Sequence, residues 1–286
     1  MNLFGRILRN LQPFIEHFPR VAMLYRYWRD TRSLYVNLKE TTLGFKFIGN
    51  AKMEQGIFEI EERKIVKRCL NKADLFINIG ANIGYYCCIS LQQGIPTIAF
   101  EPMENNLRYL YKNIQANDWQ NNIEVFPLAL GNTTGLIEIY GGGTLASIHR
   151  GWAGMPVQYR SLVPVTTLDT ALQDRFSGKR CFILVDIEGA EYRMLQGAKR
   201  FLRMAPKPIW MVEIQVKEHQ PAGTPLNPYL LQTFKIFWDE GYESWTADEN
   251  LRKIEEQEII DIYESKTDTL SSQNFLFLDK GAIDQI

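Results

Sequence analysis

The residues of this chain best spaced for chemistry lie in Asp74 to Tyr86, DLFINIGANIGYY, and in IAFEP at Ile98 to Pro102. An apolar strand runs into a glycine turn holding Gly80, Asn82 and Gly84, a helix returns the chain, and a second apolar strand ends on Glu101. Glu101 stands 21 residues after Gly80, near the ~20-residue spacing at which a carboxylate meets the ribose hydroxyls of a nucleotide cofactor. Two more apolar strands end in the same way, one on Asp186-Ile187-Glu188-Gly189 and one on Glu213 followed by Gln215, and Asn78 sits inside the first strand. Open α/β sheets bind ligands beyond the carboxyl ends of their strands. Asp186, Glu188 and Glu213 are therefore the candidate catalytic groups: a carboxylate there can take a proton from a substrate hydroxyl, or hold a divalent ion that acidifies it. Each acid also has a local use, since Glu101 can cap a helix and Asp186 can bond nearby amides. Four strand ends behaving alike is what singles out this edge.

The elements that must position these groups alternate. Leu75 to Ile79, Thr97 to Phe100, Ile123 to Pro127, Cys181 to Val185, Ile209 to Ile214 and Phe275 to Leu278 read as strands. Glu59 to Leu70, Tyr85 to Gln93, Met103 to Asn117, Glu191 to Leu202 and Tyr229 to Glu240 read as helices. Buried strands joined by helices predict an α/β fold, a mostly parallel sheet with helices on both faces. Short strands at Leu34 to Leu38 and Phe45 to Ile48 precede it. The rhythm breaks over 131–169, where strand-like pieces surround Gly141-Gly142-Gly143 and a poorly patterned middle with His149, Trp152 and Tyr159. Irregular stretches of that length are usually functional or disordered, so this one reads as a substrate-side excursion.

With 32 basic and 33 acidic side chains the formal charge is -1, so no global field draws the chain to nucleic acid or to an anionic membrane. Cys69, Cys87, Cys88 and Cys181 show no C-x-x-C spacing; buried, reduced thiols are expected, which suits a cytoplasmic compartment. Arg6 and Arg9 interrupt the N-terminal apolar positions before a signal-peptide core forms, and no run approaches the ~20 apolar residues of a membrane span. Leu3, Phe4, Ile7, Leu8 and Leu11 recur with helical spacing. Residues 1–32 carry six arginines, with Phe14, Phe18, Tyr25, Tyr27 and Trp28 interleaved. That arm is expected either to touch a membrane surface or partner or to pack over the main domain as a lid or dimer arm.

Several blocks in order resemble the FkbM-type S-adenosylmethionine-dependent methyltransferases: INIGANIGYY (77–86), IAFEP followed by Asn105, NIQANDWQNNIEVFPLALGN (113–132), VTTLDTAL (165–172), VDIEGAE (185–191) and MVEIQ (211–215). The resemblance covers roughly residues 57–215. It implies a Rossmann-like methyltransferase sheet in a domain at 56–286, the excursion included, preceded by an N-terminal helical and strand extension at 1–55. It also implies S-adenosylmethionine as cofactor. The turn from Gly80 through Asn82 to Gly84 would approach its methionine part, Glu101 its ribose, and Leu128 and Ala129 its adenine. The acceptor it implies is a hydroxyl of a sugar, glycolipid or secondary metabolite; a divalent metal stays open, with no residue assigned to it. Two positions depart from the family's pattern. Asn78 stands where the broader methyltransferase motif begins with an acid, and Leu184-Val185 stand where many relatives place a lysine. Asparagine offers the cofactor ammonium an acceptor oxygen without charge, so Asp186 or another carboxylate is expected to compensate.

Two other readings compete. A nicotinamide-dependent oxidoreductase would prefer G-x-G-x-x-G with a proton relay, but the chain's Y-x-x-x-K, Tyr35 to Lys39, precedes the glycine turn. A non-catalytic scaffold would bind cofactor weakly at Asn78 and work through the basic arm. Of His17, His149 and His219, only His219 follows the Glu213 strand closely enough to reach a cavity mouth as a base, but a lone loop histidine is more often merely solvated. Trp238, Tyr242 and Trp245 are expected to offer aromatic planes to the acceptor, although core packing explains Trp238 about as well.

Overall fold

The computed structural model describes residues 38–155, 157–270 and 272–283. The arm at 1–32 and all but Leu38 of the strand expected at 34–38 lie outside the described residues. A hairpin of β1 (Lys39–Glu40) and β2 (Lys46–Phe47) leads to α1 (Ala51–Glu54), whose N-cap Asn50 accepts from the Met53 amide. Phe45, Phe47 and Met53 are buried in one cluster with Phe76 and Tyr85, so this entry segment packs onto the core. After α2 (Ile60–Leu70) come β3 (Leu75–Ile79), α3 (Tyr85–Gln92), β4 (Thr97–Phe100), α4 (Glu104–Gln115) and β5 (Ile123–Phe126).

The expected excursion carries β7 (Gly135–Tyr140) and β8 (Arg160–Thr166), which form a separate sheet with β6 (Ala129–Leu130) just before it, in the order β6-β8-β7. The chain then runs through α5 (Leu168–Leu172), β9 (Cys181–Val185), α6 (Glu191–Gln196), α7 (Lys199–Leu202) and β10 (Ile209–Glu213). It finishes with α8 (Leu230–Asp239), β11 (Tyr242–Thr246), β12 (Lys253–Ile254), α9 (Glu256–Ser265) and β13 (Asn274–Asp279). The single helix expected over 191–202 is divided at Gly197, where a Cβ would stand 2.1 Å from the Gly131 carbonyl oxygen; the turn can pass only by bending there.

The main sheet has the order β12-β11-β13-β10-β9-β3-β4-β5. β5 to β10 in that order are parallel, while β13 is antiparallel and lies between β10 and β11. Its central strands are continuous apolar runs because both faces are covered: Ile77, Ile79, Ile183 and Val185 join the core on one side, and Phe76, Phe182 and Leu184 that on the other. β3 feeds β4 and β5 to one side, and β9 and β10 lie on the other. The switch point between β3 and β9 is where such a sheet opens a crevice for ligand.

The C-terminal aromatics do something other than expected. β11 runs with β10, so Tyr242 enters the sheet at the edge opposite Glu213. There its hydroxyl donates to the Leu202 carbonyl at 3.0 Å, and the Trp238 indole N–H donates to Ser244 Oγ at 2.9 Å. These rings brace the far flank of the sheet and do not approach the crevice. The four cysteines are free and buried. Among the described residues no helix is long and apolar enough to cross a membrane.

Candidate active site

Strand register aligns the polar groups. Ile79 pairs with Phe100 and with Val185, and Val185 pairs with Val212. The next residues, Gly80, Glu101, Asp186 and Glu213, therefore stand in one row across four parallel strands. Gly80 has φ +86, and its amide and that of Ala81 both donate to the Phe100 carbonyl at 2.9 Å. The turn thus folds down between β4 and β9, and only a residue without a Cβ fits there. Gly84 differs: a Cβ on it would meet Leu110 Cγ at 3.2 Å. It shapes the start of α3 against α4, and it is not among the residues that line the crevice.

Glu101 is 4 % exposed. Its Oε2 accepts from the Asn82 amide at 2.8 Å, and its Oε1 from the Met103 amide at 2.8 Å and Asn106 Nδ2 at 3.2 Å. Burial nevertheless pushes its pKa up to about 7. The amide partner is Asn106, inside α4, whereas the neighbouring Asn105 is exposed. Beside this carboxylate lies a cleft of about 640 Å³ lined by Gly80, Asn82, Glu101, Leu128, Ala129 and Asp186, among others. The excursion closes its outer side through Gly143, Ala146 and Ile148.

A second cavity, of about 700 Å³, shares Gly80, Asn82, Asp186 and Glu188 with the first and continues past Asn78, Glu59 and Glu213. Asn78 is 2 % exposed; its Nδ2 donates to Cys87 Sγ at 3.4 Å while its Oδ1 is buried with no partner. Asp186 is exposed as a residue, yet protein atoms around its carboxyl and that of the neighbouring Glu213 keep water away and raise both above their ordinary range. Such a pair holds a proton between two carboxyls. Leu184 is buried on the Asn78 face of the sheet, so the position where many relatives carry a lysine is apolar wall here.

Glu188 links the two cavities and is held from behind by the excursion. Trp152 Nε1 donates to its Oε2 at 2.7 Å, and His219 Nδ1 lies 3.5 Å from the same oxygen. Ser147 Oγ donates to the Glu188 carbonyl at 2.5 Å, and the Ala153 amide to the His219 carbonyl at 2.8 Å. Both Glu188 (φ 52) and His219 (φ 62) adopt left-handed backbone, a conformation that costs a residue bearing a Cβ about 1 kcal/mol or more. The adjoining Gly189 has φ +93, and a Cβ on it would meet the Trp152 ring at 2.7 Å. His149, whose pKa burial lowers, joins Nε2 to the Gly189 carbonyl at 2.9 Å.

Sequence reasoning named Asp186, Glu188 and Glu213 together, and the structure brings them together. It missed Glu59, Tyr86, Ser147 and Asn106. It noticed Trp152 and His149 only as members of an unpatterned stretch, because their partners lie about 40 residues away in sequence and no periodicity marks them.

The mostly parallel sheet with β13 and β12 reversed, the glycine turn at its switch point and the acid closing the second strand define a Rossmann-like methyltransferase fold. The methyltransferase FkbM domain matches residues 78–244, more than half of the chain, and the protein belongs to that family. No curated protein sequence matches it. Among solved structures, the methyltransferase FkbM from Methylobacillus flagellatus KT is 19 % identical at a TM-score of 0.42, covering 72 % of this chain and 44 % of its own. A precorrin-6y C5,15-methyltransferase from Geobacter metallireducens GS-15 is 12 % identical at a TM-score of 0.40, covering 69 % of this chain and 78 % of its own. The S-adenosylhomocysteine-bound methyltransferase PaMTH1 of Podospora anserina is 9 % identical at a TM-score of 0.33, covering 53 % of this chain and 51 % of its own.

Proposed function

We propose that this protein is an S-adenosylmethionine-dependent methyltransferase acting on a hydroxyl oxygen of a sugar, glycolipid or secondary metabolite. The observation that carries the reading is the row Gly80, Glu101, Asp186 and Glu213 at the switch point of a chain that belongs to the FkbM methyltransferase family. The residues present fit the cofactor. The orphaned Asn78 Oδ1 needs a donor, Glu101 retains acceptor capacity beyond its three bonds, and Leu128 and Ala129 give the far end of the cleft an apolar wall.

When bound, the cofactor supplies an electrophilic methyl carbon on a sulfonium. Glu101 binds the ribose hydroxyls, and the Gly80–Asn82 turn lets backbone approach the methionine part. Where the two cavities meet, Glu188 is the proton acceptor for the attacking hydroxyl: Oε2 is fixed by Trp152, with His219 Nδ1 3.5 Å away, and Oε1 is left to the acceptor. His219, about one third exposed, passes the proton outward. Asp186 and Glu213 keep the local field negative, which favours positive charge at the reacting centre. Positioning and field are most of what an in-line displacement asks of a protein.

Incubation with methyl-labelled S-adenosylmethionine and fractionated cell extract tests this. Label is expected in a glycan, glycolipid or small-metabolite fraction as a base-stable ether. Label in nucleic acid, or none in any fraction, contradicts it.

A further inference from the structure

We propose that Glu59 supplies the negative charge that Asn78 lacks, holding the ammonium of the cofactor's methionine tail from outside the stretch that matches the family. The inference rests on the cofactor reading above.

Its first ground is the cavity both residues line. Five of its lining residues are Glu59, Asn78, Asp186, Glu188 and Glu213, and no lysine or arginine is among the others. Such a wall accepts hydrogen bonds and repels anions. The Asn78 side chain, almost fully buried on that wall, keeps Oδ1 without a partner. A buried acceptor left without a partner is costly, so the site is shaped for a donor the chain does not itself provide.

The second ground is how Glu59 is held. It is the N-cap of α2, where a side chain ordinarily turns back to bond the first helical amides. Here the side chain makes no such bond, and the backbone is left-handed at φ 42 and ψ 58. The strain directs the carboxyl elsewhere: Tyr86 donates to Oε2 at 2.6 Å, leaving Oε1 for a ligand. Arg63, four residues on, does not neutralise it. Its Nη1 instead binds the Gly56 carbonyl at 2.8 Å, the Phe58 carbonyl at 3.2 Å and the Tyr85 hydroxyl at 3.1 Å, bracing the loop that presents Glu59. Glu59 stands at the exposed mouth, but its carboxyl end reaches down among protein atoms. Removal from water, followed by the charges of Asp186 and Glu62, raises its pKa to about 7 against the Tyr86 bond. Glu213 faces the same space from β10. An entering ammonium answers this repulsion, and a thioether or hydroxyl does not.

Calorimetric titration with S-adenosylhomocysteine and with 5′-methylthioadenosine, which has the nucleoside and sulfur but no amino-acid tail, tests the assignment. Glu59→Gln is expected to weaken S-adenosylhomocysteine by about 10- to 100-fold, the worth of a charge-assisted hydrogen bond, and to leave 5′-methylthioadenosine unchanged. Adding Asn78→Asp to Glu59→Gln is expected to recover most of the lost affinity. Should Glu59→Gln not fold, Glu59→Gly suits the left-handed backbone and carries the same expectation. Unchanged S-adenosylhomocysteine binding, or equal weakening of both ligands, overturns the role of Glu59. Wild-type protein that binds neither ligand overturns the cofactor reading beneath it.

Discussion

A Cβ built on Gly80 would stand 1.8 Å from the carbonyl oxygen of Asp186, and the Asp186 amide donates to the Ile79 carbonyl at 3.0 Å. The glycine turn and the acidic strand end are thus one construction: β9 can run beside β3 past its last pair only if position 80 carries no side chain. Both the cofactor crevice and the placement of Asp186 and Glu188 depend on that contact.

Gly80→Ala is accordingly expected to destabilise the protein by about 2 kcal/mol or more, since it combines a backbone clash with a side chain at φ +86. Urea denaturation measures it. A variant as stable as wild type would mean that the two strand ends separate without cost.

Glu101→Ala is expected to weaken S-adenosylhomocysteine about 10- to 100-fold by calorimetry. It also strands the Asn82 and Met103 amides, while Asn106 Nδ2 keeps its bond to the Gly143 carbonyl. Glu101→Gln keeps an acceptor and should lose less. Unchanged affinity in both would remove Glu101 from the ribose.

With the labelled acceptor in hand, Glu188→Gln is expected to lower kcat by about 10²- to 10⁴-fold, the usual worth of a positioned base, with cofactor affinity retained. His219→Asn keeps a residue type that tolerates left-handed backbone and should cost about tenfold, because Glu188 remains. A kcat independent of Glu188 would move the proton to the Asp186–Glu213 pair.

Stability should depend on pH in an unusual direction. Burial, the largest cause in each case, puts Glu59 and Glu101 at about 7 and Glu191 at about 8, against 4.5 ordinarily. Between 4.5 and those values the folded chain holds protons that the unfolded chain has lost, so stability falls as pH rises through the window. Thermal denaturation of the ligand-free protein is expected to show a Tm lower by about 3 °C or more at the alkaline end. A Tm rising steadily across that window would show that these carboxyls are ionised and hydrated.

Much of this was legible in the amino-acid order. Leu75–Ile79, Thr97–Phe100 and Cys181–Val185 coincide with their expected strands, because a strand covered on both faces is an uninterrupted apolar run bounded by turn residues. The row of strand-end polar groups followed from the same pattern. What stayed hidden depends on pairings distant in sequence. Glu59 read as the first residue of a helix, and only tertiary structure reveals its left-handed backbone and the Tyr86 bond that turns it inward. The small three-stranded sheet was only partly visible, since Leu136 and Leu162 face solvent and blur the alternation. The strand at Tyr242–Thr246 passed unnoticed because its aromatics read as a surface for ligand.

Calorimetric titration of the wild-type protein with S-adenosylmethionine, S-adenosylhomocysteine and NAD tests the central claim most directly. The arrangement of Asn78, Gly80 and Glu101 predicts saturable binding of both sulfur nucleosides and none of NAD. Binding of NAD alone would contradict it in favour of hydride transfer, and binding of none would leave a scaffold with a methyltransferase fold.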